Sequence, residues 1–319
     1  EMLYQQFGDE EALPRQYESM KLFVEAEIRK MGKKNLWIGP SLGDWLAMGK
    51  GIAWQAMHNN PVSNAFIVHD LKVISETAER LGKKADADRY RRQMEATTEA
   101  YIRKFVSKKG IVAKDYQSAY IMALKFVLPE GELREQVKKN FAANIRKNGL
   151  QTGFFATEHL LPLLVEAGET ELAYDILLQE GCPGWMYQVK CGATTTWERW
   201  DALKPDGTVN EEKMAGSGDN MVSFNHYAFG SVGEFYYQYI LGIKPQKPGF
   251  AELHFEPYPD RRLGGVSGSY LSRAGKIESS WKYEEDGCHI SLNTPVKSEV
   301  VLPDGQRETV EEGTYQWLC

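Results

Sequence analysis

Hydrophobic positions along the first three quarters of the chain recur at the spacing of an α-helix. Between Pro14 and Met31 apolar residues follow one another three or four positions apart, and Gly32 then ends the pattern. Further segments show the same spacing. Together they predict eight helices with mostly short connections, over residues 14–31, 63–81, 84–107, 117–128, 132–147, 154–167, 170–180 and 224–241.

The predicted helices differ in polarity in a regular way. Segments 84–107 and 132–147 are charge-rich with a narrow apolar stripe, which is typical of helices that face solvent. Three others are apolar on most sides, as buried helices are: 117–128, 154–167 and 224–241. This alternation predicts helical hairpins arranged as a partial toroid, with an inner ring of helices enclosed by an outer ring.

The pattern changes after Gly242. A proline-rich segment is followed by short runs that alternate polar and apolar residues and are separated by Asp-Gly turns, which is typical of antiparallel strands. We therefore predict an α+β protein with two domains, a helical domain over residues 1–242 and a small antiparallel β-sandwich over residues 243–319.

The composition of the chain limits the kinds of partner that the protein is expected to bind. Hydrophobic residues make up 42% of the chain and the formal net charge is -6, so there is no electrostatic reason to expect a nucleic-acid partner. The apolar runs are too short to span a bilayer, and no membrane partner is expected. The four cysteines and six histidines show no metal-ligand spacing, so we expect no structural zinc and no cofactor, with Cys182 and Cys191 reduced.

Four stretches of unusual composition lie shortly before, or at the start of, predicted inner helices. If the inner helices run parallel, their N-terminal ends share one mouth of the ring, and we expect the four stretches to converge there. They are WIGPSLGDW (37–45), GLQTGFF (149–155), GATTTWERW (192–200) and SFNHYA (223–228).

Such a mouth has the chemistry of a sugar site. Flat indoles cover the apolar faces of a pyranose, and carboxylate and imidazole groups hydrogen-bond its hydroxyls. The residues expected at this mouth are Asp44, Trp45, Trp197, Glu198, Trp200 and His226.

Structural interpretations compete with this one. Glu198 and Arg199 could form a partly buried ion pair, and Trp185 and Trp200 are expected in the core. His226 alone would be an ordinary residue at a helix start, as His159 would be within an apolar helix. Gly216–Asp219 is predicted to be a flexible loop, because no strand precedes it and no dinucleotide motif surrounds it.

At these residues the chain resembles the bacterial α-L-rhamnosidases of glycoside hydrolase family 78. The resemblance covers nearly the whole chain, with matching stretches in the family's order. They include YESMKLFVE, LGDWLA, QSAYIMALKF, LQTGFFATEHLLPLL, GCPGWMYQVKCGATTTWERWDALKPDG and SFNHYAFGSVGEFYYQYILGIKP.

The resemblance implies an (α/α)6 barrel followed by a β-sandwich, and an inverting hydrolase of terminal α-L-rhamnosyl bonds. It implies that Glu198 is the general base and that Trp45 and His226 bind the sugar. It also places the general acid upstream of any residue present here. The chain is accordingly expected to be the C-terminal part of a longer bacterial protein, inactive alone and able to self-associate through the open side of its barrel.

Two departures from the family pattern keep other functions open. The step after TGF reads Phe155-Ala156 rather than ending in glycine, and Gly149 stands where many relatives carry histidine. A different deoxy-sugar or a uronide therefore competes with rhamnose as the substrate. A non-catalytic glycan-binding or scaffold module with a degenerate barrel is the second hypothesis. Cytoplasmic and periplasmic locations are both compatible with the sequence.

Overall fold

The computed structural model of the chain describes residues 2–211 and 222–319. The residues form two compact units, Tyr17–Ser231 and a second unit that joins Glu1–Gln16 to Val232–Cys319. The predicted loop Gly216–Asp219 lies outside the described residues.

The helices follow the predicted segments closely in the middle of the chain. Two stretches of π-helix, Ala123–Val127 and Tyr236–Ile240, directly follow the α-helices that end at Met122 and Phe235. The α-helices are α1 (Met2–Phe7), α2 (Ala12–Met31), α3 (Ile52–His58), α4 (Asn60–Arg80), α5 (Lys84–Phe105), α6 (Gln117–Met122), α7 (Glu132–Asn148), α8 (Phe154–Glu166), α9 (Thr170–Leu178), α10 (Trp185–Lys190) and α11 (Val232–Phe235).

The prediction of a helix over 224–241 was wrong at its start. Helical backbone begins only at Ala228, as a 3₁₀ turn over Ala228–Ser231. The preceding residues are held by another part of the chain, since the amide of His226 donates to the carbonyl of Thr196 at 2.9 Å. A backbone group that bonds across to another segment cannot also serve a helical ladder. The short helices α1, α3 and α10 were not predicted.

The helices of the larger unit pack as hairpins whose first members adjoin one another. α4 packs along α5, α6 against α7, and α8 against α9. α4 also contacts α6, α6 contacts α8, and α8 contacts the turn Ala228–Ser231. All six residues of α6 are buried, whereas α7 buries only five of its seventeen. The predicted alternation of inner and outer helices is therefore confirmed for these hairpins.

The β-strands follow Gly242, as predicted, and form two four-stranded sheets with the orders β1-β2-β6-β7 and β3-β4-β5-β8. Most neighbours are antiparallel, but β2 and β6 pair in parallel, which the alternation pattern did not predict. Rings from the two sheets meet at Phe255 and Trp317, with centroids 6.1 Å apart. The strands are β1 (Ile243–Pro245), β2 (Leu253–Phe255), β3 (Gly265–Ser272), β4 (Gly275–Glu284), β5 (Gly287–Thr294), β6 (Ser298–Val301), β7 (Arg307–Val310) and β8 (Gly313–Leu318).

The end of the last helical segment belongs to the same compact unit as the strands. The indole of Trp281 on β4 donates to the carbonyl of Ile240 at 2.7 Å, and the hydroxyl of Ser279 donates to Leu241 at 2.7 Å. Both side chains are buried. These bonds satisfy carbonyl groups at a helix C-terminus, where no intrahelical partner exists.

No helix in the described part of the chain is long and apolar enough to cross a membrane. All four cysteines are free thiols.

Candidate active site

The loop that carries Trp37 and Trp45 is fixed to the start of α4 by two buried asparagines, Asn59 just before the helix and Asn64 within it. Asn64 accepts from the backbone amide of Trp37 and donates to its carbonyl, both at 2.8 Å. Asn59 donates to the carbonyl of Leu42 and accepts from the hydroxyl of Tyr116. Buried amides with satisfied donors and acceptors hold a loop in one conformation.

Asp44 caps the N-terminus of α8 from a distant part of the sequence. Its two carboxylate oxygens accept from the amides of Gly153, Phe155 and Ala156 at 2.7, 2.8 and 3.0 Å, and from the Ser118 hydroxyl at 2.5 Å. The first amides of a helix have no partner within the helix, and its N-terminus favours negative charge. Burial raises the pKa of Asp44, and these four donors oppose that effect.

This position corrects the expected role of Asp44. The side chain is fully buried, at 0% exposure, and both oxygens are occupied by protein donors. A carboxylate with no solvent-accessible surface cannot hydrogen-bond a sugar hydroxyl. Asp44 instead positions its neighbour Trp45 and the start of α8.

Two of the four unusual stretches lie side by side. The amide of Glu198 donates to the carbonyl of Ser223 at 2.8 Å, and the amide of His226 donates to Thr196 at 2.9 Å. The hydroxyl of Thr196 returns a bond to the carbonyl of His226 at 2.6 Å. This pairing, which resembles a short antiparallel ladder, brings Glu198 and His226 onto adjacent chain segments.

Glu198 is half-buried, and its carboxylate has no hydrogen-bond or ion-pair partner among the described residues. The expected alternative, an ion pair between Glu198 and Arg199, was wrong. Arg199 instead holds Asp201 through two bonds of 3.0 Å, and Asn210 donates to the same carboxylate at 2.8 Å. Glu198 thus keeps a carboxylate that can accept hydrogen bonds from water or a ligand.

The ring of His226 lies against that of Phe154, with centroids 4.6 Å apart. The amide of Ala228 points at Nδ1 of His226 at 3.3 Å. A backbone N–H can only donate, so Nδ1 accepts and the proton of the neutral ring lies on Nε2. The half-buried imidazole therefore offers an Nε2–H donor.

Trp197 is a core residue, contrary to the expectation that it contacts a sugar. It is 3% exposed and packs edge-on against Tyr187 and Phe224. Trp185 and Trp200 lie in the core as predicted, with Trp200 stacked on Phe229 at 3.8 Å. The aromatic residues around Glu198 thus hold the backbone of this residue in place.

The four stretches converge as predicted. The amide of Phe154 donates to the carbonyl of Trp45 at 3.0 Å, which joins the first stretch to the second. The Trp200 indole donates to the carbonyl of Thr152 at 3.0 Å, which joins the second to the third. The third and fourth are joined by the pairing around Glu198 and His226.

Trp45 lines a cleft of about 790 Å³, here called the tryptophan cleft, whose wall is largely apolar and includes six aromatic side chains. Two carboxyl groups, Glu27 and Asp70, also line it. Burial, with a further contribution from Asp70, raises the pKa of Glu27 to about 8, and burial raises the pKa of Asp70 to about 6. The aromatic wall consists of Phe23, Trp37, Trp45, Phe66, Phe154 and Phe155.

The sequence interpretation missed Glu27 and Asp70. Glu27 lies four residues after Phe23 on the apolar side of the predicted helix 14–31, and a glutamate in such a stripe is unusual. The position of Glu27 in the apolar stripe was therefore the feature of the sequence that could have identified it.

One group of side chains in the described residues has the geometry of metal ligands, Glu284, Asp286 and His289 near the β4–β5 turn. All three are exposed. His289 already bonds Asp286 at 2.8 Å and Lys282 pairs with Glu284 at 2.9 Å, so both carboxylates already have partners within the protein.

Comparison with known proteins identifies the family on both sides of Gly242. Residues 1–240 match the bacterial alpha-L-rhamnosidase 6 hairpin glycosidase domain, and residues 242–316 match the bacterial alpha-L-rhamnosidase C-terminal domain. An alpha-L-rhamnosidase of Alteromonas sp. (strain LOR) is 34% identical over 312 residues, which cover 94% of this chain and 33% of the relative. The chain spans about a third of the length of the curated relatives that it matches.

Comparison with solved structures indicates the same family. The crystal structure of a Streptomyces avermitilis alpha-L-rhamnosidase complexed with L-rhamnose superposes with a TM-score of 0.89 at 28% identity, covering 98% of this chain and 31% of that one. The native enzyme from Aspergillus terreus gives a TM-score of 0.90 at 29% identity, covering 99% and 37%. The predicted fold class, helical hairpins followed by a small β-sandwich, is confirmed. The chain belongs to the bacterial α-L-rhamnosidase six-hairpin glycosidase family.

Proposed function

We propose that this protein hydrolyses terminal α-L-rhamnosyl bonds with inversion, and that Glu198 is the general base. The observation that carries the proposal is the half-buried carboxylate of Glu198, unpartnered among the described residues and held by backbone bonds beside His226. A general base must keep free lone pairs for the attacking water and a fixed position relative to the sugar. The family membership and the rhamnose-bound relative support rhamnose as the sugar.

Two groups are proposed to hold the sugar. The half-buried indole of Trp45, in the tryptophan cleft, offers an apolar face for a pyranose ring. The Nε2–H of His226 donates to a sugar hydroxyl. Phe154 links these groups, because its amide bonds the carbonyl of Trp45 and its ring contacts His226.

Asp44 and Trp197 are proposed to act through these groups rather than on the sugar. Asp44 fixes the start of α8, and Trp197 fixes the segment that carries Glu198. We also propose that the helical domain ends at residue 242 and that the β-sandwich domain begins at residue 243.

Inverting hydrolysis needs a second carboxyl group, a general acid typically about 6.5 to 9.5 Å from the base. We propose that this acid is contributed from outside residues 1–319, as the resemblance implies. A polypeptide limited to those residues is then expected to be inactive, because Glu198 cannot both protonate the leaving oxygen and activate the water. Rhamnosidase turnover by that polypeptide would place the acid within it.

The experiment that tests the proposal is hydrolysis of p-nitrophenyl α-L-rhamnopyranoside by the protein at its full natural length, followed by proton NMR. Inversion predicts that the β-anomer of L-rhamnose forms first and then mutarotates. First formation of the α-anomer would contradict the inverting mechanism. Binding of L-rhamnose without hydrolysis would instead support a glycan-binding module.

A further inference from the structure

The residue that follows the proposed base is an arginine whose charge is paired within the protein. The guanidinium of Arg199 donates from Nε and from a terminal nitrogen to the two carboxylate oxygens of Asp201, each at 3.0 Å. The side chain of Arg199 is 12% exposed and that of Asp201 is 29% exposed. Two parallel bonds between a guanidinium and a carboxylate fix both groups in one relative orientation. Arg199 is therefore held firmly and largely away from water.

Asp201 is itself fixed by a short loop. The buried side chain of Asn210 donates to its carboxylate at 2.8 Å. The backbone amide of Asn210 donates to the carbonyl of Ala202 at 2.9 Å, and an antiparallel bridge joins Leu203 to Val209. These bonds close the loop and return Asn210 to the side of Asp201. The carboxylate is thus held in one position by the protein itself.

This pairing bears on Glu198, because Glu198 directly precedes Arg199. Both residues lie in a bend outside any helix or strand, and consecutive Cα atoms are about 3.8 Å apart. A guanidinium is always charged, and one that is largely buried needs an anionic partner. The carboxylate of Glu198 has no partner among the described residues. Without Asp201, Glu198 is the adjacent carboxylate that could pair with Arg199.

An ion pair between Glu198 and Arg199 would disable a general base. The lone pairs that bind the attacking water would instead accept from the guanidinium. A cation at that distance would also favour the charged carboxylate and so oppose its uptake of the proton from water. The pairing of Arg199 with Asp201 prevents both effects and leaves the oxygens of Glu198 for water.

We propose that Asp201 is a positioning residue that keeps the carboxylate of Glu198 available by holding the guanidinium of Arg199. This inference rests on the proposed function, in which Glu198 is the general base. Asp201 touches neither the sugar nor the water in this account and acts only through Arg199. Its effect on the reaction should therefore disappear when the guanidinium is absent.

The kinetic test compares three forms of the protein at its full natural length on p-nitrophenyl α-L-rhamnopyranoside: the unaltered protein, Asp201→Asn and the double variant Asp201→Asn/Arg199→Met. In Asp201→Asn, which keeps the shape of the side chain and removes its charge, kcat should fall roughly tenfold or more with little change in KM. The acid limb of its pH profile should move to lower pH, because the captured cation favours the charged carboxylate. In the double variant kcat should return to within about threefold of the unaltered protein.

Two further variants are the controls. Asp206→Asn changes an exposed aspartate of the same loop, which accepts from the amide of Thr208 at 2.9 Å, and should keep kcat, KM and the pH profile. Asp201→Glu keeps the charge that pairs with Arg199 and should retain most of kcat. A merely structural role of Asp201 predicts instead that the double variant is at least as slow as Asp201→Asn.

A crystal structure of the Asp201→Asn variant separates this inference from the proposed function, since it requires no catalysis. A guanidinium nitrogen of Arg199 should lie within about 4 Å of a carboxylate oxygen of Glu198. If the variant Glu198→Gln keeps its rate, the proposed function fails, and the structure of Asp201→Asn alone decides whether Asp201 holds Arg199 away from Glu198.

Three results would overturn the inference. A guanidinium that stays beside residue 201 in Asp201→Asn would show that Glu198 does not capture it. A double variant no faster than Asp201→Asn would show that Asp201 supports the loop and not the availability of Glu198. Failure of Asp201→Asn to fold would show that the buried guanidinium finds no second partner, since capture by Glu198 would satisfy its charge.

Discussion

The carboxylate of Asp44 accepts a hydrogen bond of 2.7 Å from the amide of Gly153, 109 positions further along the chain. This contact joins the loop that ends in Trp45 to the first turn of α8. Trp45 and Phe154 are the immediate neighbours of the two bonded residues. The aromatic part of the proposed sugar site is therefore held by one buried carboxylate.

Replacement of Asp44 by alanine should destabilise the protein strongly. It would leave the amides of Gly153, Phe155 and Ala156 without their acceptor, in a place where water cannot replace it. We expect a loss of about 3 kcal/mol in the free energy of unfolding, measured by urea denaturation. Asp44→Asn, which keeps one acceptor oxygen, should lose less. A loss below about 1 kcal/mol for Asp44→Ala would contradict the capping role.

Gly153→Ala should also be poorly tolerated, because the added Cβ would lie 2.1 Å from the carbonyl oxygen of Trp45 and 2.8 Å from that of Asp44. Both obstacles are backbone atoms, so the loop itself must move. We expect a loss of about 2 to 4 kcal/mol by the same measurement. Gly181→Ala is the matched control, because nothing lies within 4 Å of its Cβ position. Equal stability of the two variants would show that the loop yields easily.

The sequence alone was sufficient to place the hairpins from α4 to α9, because strong apolar periodicity and Gly or Pro boundaries mark them. It also predicted that the stretches around Trp45, Gly153, Glu198 and His226 meet, which follows from the order of inner helices. Periodicity carries no information on long-range hydrogen bonds. The helical start at Ala228 was therefore missed, since the pairing of His226 with Thr196 overrides the local pattern.

The candidate site was predicted less completely for a related reason. Asp44 and Trp197 stand beside Trp45 and Glu198, and sequence proximity cannot distinguish a side chain that supports a neighbour from one that faces a ligand. Burial distinguishes the two cases, because the side chain of Asp44 is 0% exposed and that of Trp197 is 3% exposed. The meeting of Glu27 and Asp70 in one cleft was missed because the two residues come from separate helices, α2 and α4.

Trp45→Ala tests the proposed stacking contact with the sugar. We expect KM for p-nitrophenyl α-L-rhamnopyranoside to rise. We expect the fall in kcat/KM to correspond to a loss of roughly 1 to 3 kcal/mol of transition-state stabilisation, as for the loss of a packed aromatic contact. Thermal unfolding of the variant is the control, because the indole also lines a cleft wall. Unchanged kinetics together with unchanged stability would show that this indole neither binds the sugar nor supports the fold.

The raised pKa of Glu27 predicts a pH dependence of stability. Its folded-state pKa of about 8 exceeds the ordinary 4.5, so the folded protein holds the proton more tightly than the unfolded chain. The contribution of Glu27 to the stability of the folded state is fully present below pH 4.5 and is lost as the pH rises through about 8. Glu27→Gln should therefore raise the melting temperature at the upper end of this range by about 2 to 4 °C, discounted for solvent screening.

The same variant should have little effect at the lower end of that range, where the carboxyl group is already neutral. Glu95→Gln, an exposed position on α5, is the control and should show no such pH dependence. A stabilisation by Glu27→Gln that is equal at both ends of the range would contradict the raised pKa.

The most direct test of the central claim is the rate of Glu198→Gln on p-nitrophenyl α-L-rhamnopyranoside, in the protein at its full natural length. The variant keeps the backbone bond to Ser223 and loses only the basic oxygen, whose carboxylate has no partner among the described residues. Its melting temperature should therefore equal that of the unaltered protein. We predict that kcat/KM falls by roughly 10²-fold or more, because the attacking water is no longer deprotonated. A variant that keeps its rate within about threefold would show that Glu198 is not the general base.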